Sequence, residues 1–230
     1  MANIVLIHGA YQGGWIWQPV AQILRGAGNN VFAPTLDGCA ERSHQVRNGI
    51  TTETHGDEIA NLLFYEDIKD AVLVGTSCGG MVMAKAAELA RHRVKRLVFA
   101  DALALMDGER IADFVNRETA INTDLTSGPP RHDVVNRLFK DLEEPTKSWA
   151  IERYTMQPIG CMENPVELKE FWSLPWKASV VYCSQSINPP KSHQERAANT
   201  LGAKWHEIQT GHYPMLSEPG ALAQIIMDEG

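Results

Sequence analysis

The segment Gly75-Thr76-Ser77-Cys78-Gly79-Gly80 carries the pattern Gly-x-Ser-x-Gly. It stands between an apolar run, Ala71–Val74, and a small-residue stretch of helical character, Gly80–Ala90. A strand-to-helix turn this sharp strains its central residue and requires small neighbours two positions to either side. The Ser77 hydroxyl would then project above the sheet, at the positive end of the following helix. A serine hydroxyl is a weak nucleophile near neutral pH, so a base must take its proton and a third group must orient that base.

Among the eight histidines, His212 in Gly211-His212-Tyr213-Pro214 directly follows a late predicted strand, Lys204–Gln209. His193 and His206 fall within a predicted helix and strand, where a surface or packing role fits. The loop Ser184-Gln185-Ser186-Ile187-Asn188-Pro189-Pro190 offers no carboxylate before Glu195. The strand after the nucleophile helix, however, ends Phe99-Ala100-Asp101-Ala102, on the same sheet edge as Ser77, where ligands gather in open α/β sheets. Asp101 is therefore the expected orienting acid, with Asn188 as a substitute; the structural alternative for Asp101 is a helix cap or a solvated strand end. Negative charge developing on a carbonyl oxygen calls for two backbone N–H donors. Cys78 supplies one, its thiol being a small filler, and Ala10 in the loop His8-Gly9-Ala10-Tyr11-Gln12-Gly13-Gly14 is the expected second.

The elements that must position these groups alternate through the first hundred residues. Asn3–His8 reads as a buried strand, and Asn30–Pro34, Ala71–Gly75 and Arg96–Asp101 read as the second, third and fourth strands. Between them, Ile16, Trp17, Val20, Ile23, Leu24 and Ala27 recur at helical spacing, as do Ile59, Leu62 and Leu63, with Thr54 as the expected N-cap of the latter helix. The rhythm breaks from Leu103 to about Ala178, where helical patches (Arg110–Asn116, Asp133–Leu142) are separated by turns and no strand of comparable quality stands out. It resumes with strand Ser179–Cys183, a helix near Ser192–Leu201, strand Lys204–Gln209 and a helix near Ser217–Asp228. The pattern predicts an α/β body, residues 1–102 and 179–230, carrying a helical cap or lid at 103–178. Trp149, Trp172 and Trp176 in that segment, together with Tyr11, are candidate substrate-binding residues; the other reading has the cap tryptophans packing the cap onto the body.

With 21 basic and 28 acidic residues, the formal net charge is −7, which disfavours nucleic acid or an anionic membrane surface as partner. Hydrophobic content of 44% with 21% charged residues excludes a disordered chain. No apolar run approaches the roughly 20 residues that span a bilayer, and no signal peptide opens the chain, so a cytoplasmic location is expected. Cys39, Cys78, Cys161 and Cys183 have no paired spacing and are expected as free thiols. Neither the cysteines nor the histidines form a zinc-ligand pattern, and no metal is implied.

The chain resembles the α/β-hydrolase superfamily over its whole length, and within it the small bacterial esterases related to plant methylesterases and hydroxynitrile lyases. The residues that carry the resemblance are His8-Gly9-Ala10 with Gly13-Gly14-Trp15, the turn Gly75–Gly80, Phe99-Ala100-Asp101-Ala102, Gly211-His212, and the segment Thr35–Ser43. It implies a mostly parallel six-stranded sheet flanked by helices, without the two antiparallel strands that open larger hydrolases. Many bacterial members place their acid at the position matching Asp101. The implied activity is hydrolysis of a small-molecule carboxylic ester, carried out by Ser77, His212 and Asp101, without cofactor, by a monomer or homodimer. Hydroxynitrile lyases of this branch carry Lys after the catalytic His and Thr in the first-strand loop, where this sequence has Tyr213 and Gly9-Ala10. Cofactor-free dioxygenases of the same fold, acting on heteroaromatic substrates, share the early acid, and non-catalytic hormone receptors share the fold; these two and a hydroxynitrile lyase-like enzyme stand as alternatives.

Overall fold

Apolar runs bounded by glycine and polar turn residues form the strands of one sheet in the computed structural model, which describes residues 1–116 and 119–228. In chain order the strands are β1 (Asn3–Ile7), β2 (Asn30–Phe32), β3 (Ala71–Ser77), β4 (Val94–Ala102), β5 (Ile121–Asn122), β6 (Thr126–Gly128), β7 (Gln157–Pro158), β8 (Ala178–Cys183) and β9 (Lys204–Ile208). The longer helices are α1 (Gln18–Gly26), α2 (Thr52–Tyr65), α3 (Gly79–Leu89), α4 (Thr146–Arg153), α5 (Lys191–Leu201) and α6 (Pro219–Asp228).

Six strands pair in the order β2-β1-β3-β4-β8-β9, and every pair is parallel. A parallel sheet is covered on both faces, which explains why its inner strands β1, β3, β4 and β8 read as largely apolar runs, whereas the edge strand β9 carries exposed Lys204 and Glu207. Successive side chains alternate between the faces. Val5, Ile7, Leu73, Phe99 and Val180 share a buried cluster with Ile59 and Leu63 of α2 and Met83 and Ala87 of α3. Ile4, Leu6, Val72, Val74 and Val98 pack on the other side with Val20 and Leu24 of α1 and Leu222 and Ile226 of α6. Both layers hold the carboxyl ends of β3 and β4 side by side at one edge of the sheet.

Three local readings of the sequence differ from the structure. Thr51, not Thr54, is the N-cap of α2; the two residues bond reciprocally, Thr54 N–H to Thr51 Oγ1 at 3.3 Å and Thr51 N–H to Thr54 Oγ1 at 2.9 Å. The segment between β4 and β8 holds a three-stranded antiparallel sheet, β5-β6-β7. Its strands are two or three residues long, too short for alternation to register. The helical patches expected at Arg110–Asn116 and Asp133–Leu142 shrink to a single turn at Ile111–Asp113 and a turn at Arg131–Asp133 that widens into a π-helical turn over Val134–Leu138.

Two buried histidines tie elements together and must stay neutral to do so. His8, at the end of β1, accepts the Leu36 N–H on Nε2 at 3.0 Å and donates from Nδ1 to Gly9 O at 2.8 Å. His193 of α5 accepts the Ala104 N–H on Nε2 at 2.9 Å, just beyond β4. Burial lowers both from 6.5 to about 4, and the nearby Arg196 cation adds to the effect at His193. Both therefore take up protons in the unfolded chain before the folded one. Their contribution to stability is complete above pH 6.5 and declines as pH falls towards about 4, by several kcal/mol in all. The urea midpoint should drop across that window. His193→Gln, which keeps an acceptor but does not titrate, should flatten the slope; a midpoint independent of pH between 6.5 and 4.5 would show that these imidazoles are charged or exposed.

Candidate active site

The turn between β3 and α3 is shaped by close passages of main chain past main chain. A Cβ on Gly75 would lie 2.6 Å from Gly79 O, one on Gly79 would lie 2.5 Å from His8 O, and one on Gly80 would lie 2.2 Å from Leu103 O. No side chain fits at any of these positions. The Ser77 backbone is left-handed, φ +50°, a conformation that costs a non-glycine residue about 1–3 kcal/mol and persists only when the surroundings impose it. Leu103 N–H donates to Ser77 O at 2.9 Å and helps to impose it. The loop after β1 lies directly against the serine, since a Cβ on Gly9 would approach Ser77 Cβ to 2.6 Å and Oγ to 3.3 Å.

Asp101 owes its direction to a β-bulge. Thr76 pairs with Ala100 but Ser77 pairs with Ala102, so Asp101 is the extra residue on β4, and its φ is +46°. A bulge at a strand end re-aims one side chain. Here the carboxylate is fully buried and meets His212 Nδ1 at 2.6 Å through Oδ2. Oδ1 accepts from Gln194 Nε2 at 2.8 Å and from Cys183 N–H at 3.3 Å. A buried carboxylate needs this degree of pairing and hydrogen bonding to be tolerated. An ionised carboxylate only accepts, so Nδ1 carries the imidazole hydrogen and Nε2 is the basic atom. Asn188 does not orient the ring: it lines the cavity, while Nδ1 is bonded to Asp101.

A cavity of about 390 Å³ opens over these groups, and Ser77, His212, Ala10, Tyr11 and Cys78 all line it. Leu103, Ile111, Val115 and Met162 give it an aliphatic wall, and the exposed Arg137, Lys140 and Asp141 a charged one. In the loop after β1, the Gly9 N–H donates to Gln12 Oε1 at 3.1 Å. Gln12 also bonds the buried Tyr213 hydroxyl, whose pKa burial drives upward. Burial likewise pushes the Cys39 thiol up to about 12 and those of Cys161 and Cys183 upward, so all three are held as thiols.

The three tryptophans between β4 and β8 do not line this cavity. Trp149 stands edge-on to Trp15 with ring centres 5.1 Å apart. Trp172 donates from Nε1 to Leu105 O at 2.9 Å. Trp176 stacks on Phe171 at 5.3 Å and donates to its carbonyl at 2.7 Å. Of the two readings open for these rings, packing is the one the structure supports, because each indole is engaged by its own segment or by the body; Tyr11 alone of the four candidates faces the cavity. Gln194, the Cys183 N–H and Gln12 escaped the sequence reading. A glutamine on a helix or in a loop carries no signal until its partner is known.

The model of the alpha/beta hydrolase family matches residues 4–225. The chain belongs to that family. Among its relatives, the carbendazim hydrolyzing esterase of Nocardioides sp. (strain SG-4G) is 38% identical over 111 residues. That match spans 48% of this chain and 46% of the esterase, under half of its length. Methylesterase 3 of Arabidopsis thaliana is 24% identical over 262 residues, covering 98% of this chain and 95% of that protein. Among solved structures, an extracellular alpha/beta-hydrolase from a Paenibacillus species, described as sharing structural and functional homology with tobacco salicylic acid binding protein 2, superposes with a TM-score of 0.84. It is 23% identical and the match covers 100% of this chain and 99% of that one, a likeness of fold. Relatives of this alpha/beta hydrolase include named esterases, consistent with a carboxylic-ester hydrolase, and also an alpha-hydroxynitrile lyase of Arabidopsis thaliana, 32% identical over 101 residues that span 44% of this chain. No helix among its described residues is long and apolar enough to cross a membrane.

The contact between Gly9 and Ser77 can be tested directly. Gly9→Ala should push the serine or the loop aside and slow labelling of Ser77 by a fluorophosphonate at least tenfold, since a displacement near 1 Å can cost about 10²-fold in rate. Circular dichroism would report whether the fold is retained. Undiminished labelling of a folded variant would show that the loop is not held against the serine.

Proposed function

We propose that this alpha/beta hydrolase is a serine esterase that cleaves a small, uncharged carboxylic ester through an acyl-enzyme. The observation that carries the reading is the buried carboxylate–imidazole pair, 2.6 Å apart, whose ring lines the same cavity as a strained serine. Ser77 Oγ attacks the ester carbonyl carbon and its proton passes to His212 Nε2, while Asp101 holds the ring and stabilises the imidazolium. The carbonyl oxygen becomes an oxyanion that accepts from the backbone N–H groups of Ala10 and Cys78. Collapse breaks the bond to the alkoxy oxygen, which leaves as the alcohol with the proton from His212. Water then attacks the acyl-enzyme by the same steps and releases the acid.

The aliphatic wall of Leu103, Ile111, Val115 and Met162 favours an apolar acyl or aryl group, and a volume near 390 Å³ limits its size. In this reading residues 103–178 act as the lid, contributing Ile111, Val115 and Met162 to the pocket and using their tryptophans to hold the lid in place. The position after His212 is filled by buried Tyr213, packed on Phe139 with ring centres 4.9 Å apart, so no cation stands there as a lyase of this branch would have it.

The test is labelling with a serine-directed phosphonate, adduct mapping by mass spectrometry, and turnover on a panel of aryl, alkyl and lactone esters. Adduct at Ser77 with ester turnover is the expected result. Ser77→Ala should abolish both, and Asp101→Asn should lower turnover by about 10⁴-fold. Turnover retained in Ser77→Ala would exclude the mechanism, and a loss under tenfold in Asp101→Asn would move the acid elsewhere.

A further inference from the structure

Three consecutive N–H groups follow β1, and two of them are already engaged. Gly9 N–H is held by Gln12 Oε1, and Tyr11 N–H donates to Gln157 Oε1 at 3.1 Å. Between them, Ala10 N–H has no acceptor among the described residues and its residue lines the cavity. A backbone N–H can only donate, so the Gln157 atom that faces Tyr11 is its carbonyl oxygen. The Cys39 thiol donates to the same oxygen at 3.6 Å.

Gln157 belongs to β7, 146 residues along the chain from Tyr11, and is 3% exposed. Its neighbours grip the same residue. Thr155 N–H donates to Tyr11 O at 3.3 Å, and the Tyr154 ring lies 5.6 Å from the Tyr11 ring. Thr155 Oγ1 in turn accepts the Ala40 N–H at 3.0 Å, which fixes the gripping segment to the loop after β2. Tyr11 is thus bonded through both its N–H and its C=O by one short segment, and it is held at φ +69°. A peptide plane is rigid, so fixing Tyr11 in this left-handed conformation also fixes the plane before it and limits how the Ala10 unit can turn.

We propose that Gln157 is a positioning residue: by accepting the Tyr11 N–H it locks the loop after β1 so that, of the three N–H groups of this loop, only that of Ala10 remains to join the Cys78 N–H at the oxyanion. The proposal rests on the esterase reading above. It makes the segment between β4 and β8 part of the catalytic apparatus through a hydrogen bond, independently of any contact with substrate. Gln157 touches no reacting atom, so its removal should act on the transition state with little effect on ground-state binding.

Gln157→Met keeps the length and volume of the side chain and removes the acceptor. Loss of a well-placed oxyanion donor costs about 10²–10³ in kcat, and loosening one should cost part of that, roughly 10- to 100-fold, with KM within about threefold. Turnover should be counted per site titrated with the phosphonate, so that misfolded molecules are excluded. A trifluoromethyl ketone, whose hemiketal oxyanion occupies the same donors, should lose affinity by a factor matching the loss in kcat. Gln157→Glu, protonated in so buried a place, retains a carbonyl acceptor and should restore most of both quantities. A Met variant with unchanged kcat and ketone affinity, or a Glu variant as impaired as the Met one, would overturn the proposal.

Should the Met variant not fold, amide hydrogen exchange on the wild type decides. The Tyr11 amide should be protected like a core strand and the Ala10 amide should exchange freely; an unprotected Tyr11 amide rejects the clamp. Absence of ester turnover or of Ser77 labelling in the wild type would instead reject the esterase reading, and the exchange pattern separates the two failures.

Discussion

The organising constraint of this molecule is the passage of backbone against backbone at the carboxyl end of β3. Three glycines there meet carbonyl oxygens at distances no Cβ could survive. The oxygens belong to the turn itself, to the end of β1 and to the exit of β4. The same contacts that force glycine at 75, 79 and 80 therefore bring three different strand ends to one point. Each delivers one group to the cavity or its margin: Ala10 beyond β1, Ser77 at the end of β3, and Asp101 at the end of β4. Left-handed backbone at Ser77, Asp101 and Tyr11 is the local cost of that convergence. The two clusters packed against the sheet supply the stability that sustains it.

Placing the carboxylate on β4 changes what the end of β8 does. Asp101 needs partners on its far oxygen, and the Cys183 N–H and the Gln194 amide provide them. Residues at and after β8 thus hold the acid without contributing it. The loop that follows is left to build the cavity, through Ser186, Ile187, Asn188 and Pro189. Support comes from the strand end and from α5, and lining from the loop between them.

The sheet was legible in the sequence because its inner strands are buried on both faces and write themselves as largely apolar runs; all six strands fall where they were expected, the edge strands β2 and β9 by their place in the strand–helix alternation. That Ser77 and His212 come to one cavity was legible through local context, a glycine-flanked turn and a late strand end. Asp101 was reached by position on the sheet edge, but the bulge that aims it leaves no mark in Phe99-Ala100-Asp101-Ala102. The strands β5 to β7 were missed because two or three residues cannot show a period. The tryptophans were ambiguous for a different reason: indole suits a pocket wall and a packed lid equally, and only the location of its partners separates the two. Gln157 and Gln194 share the least visible kind of role, since each acts on a backbone or carboxylate group far away in sequence.

That last class bears on how a hydrolase of this size can vary its substrates. The groups that aim the reacting atoms are buried and bonded to main chain, whereas Ile187, Arg137 and Lys140 at the cavity are exposed and belong to loops or an irregular helical turn. A substitution among the second set changes what the cavity admits without disturbing a hydrogen bond to Asp101 or to the loop after β1. The segment between β4 and β8 contains both kinds, with Gln157 on the rigid side and Arg137 and Lys140 on the permissive side. It is divided by burial rather than by sequence. If the proposed esterase chemistry runs at Ser77, specificity can drift there only around the stretch Tyr154–Gln157, whose hydrogen bonds hold the loop after β1.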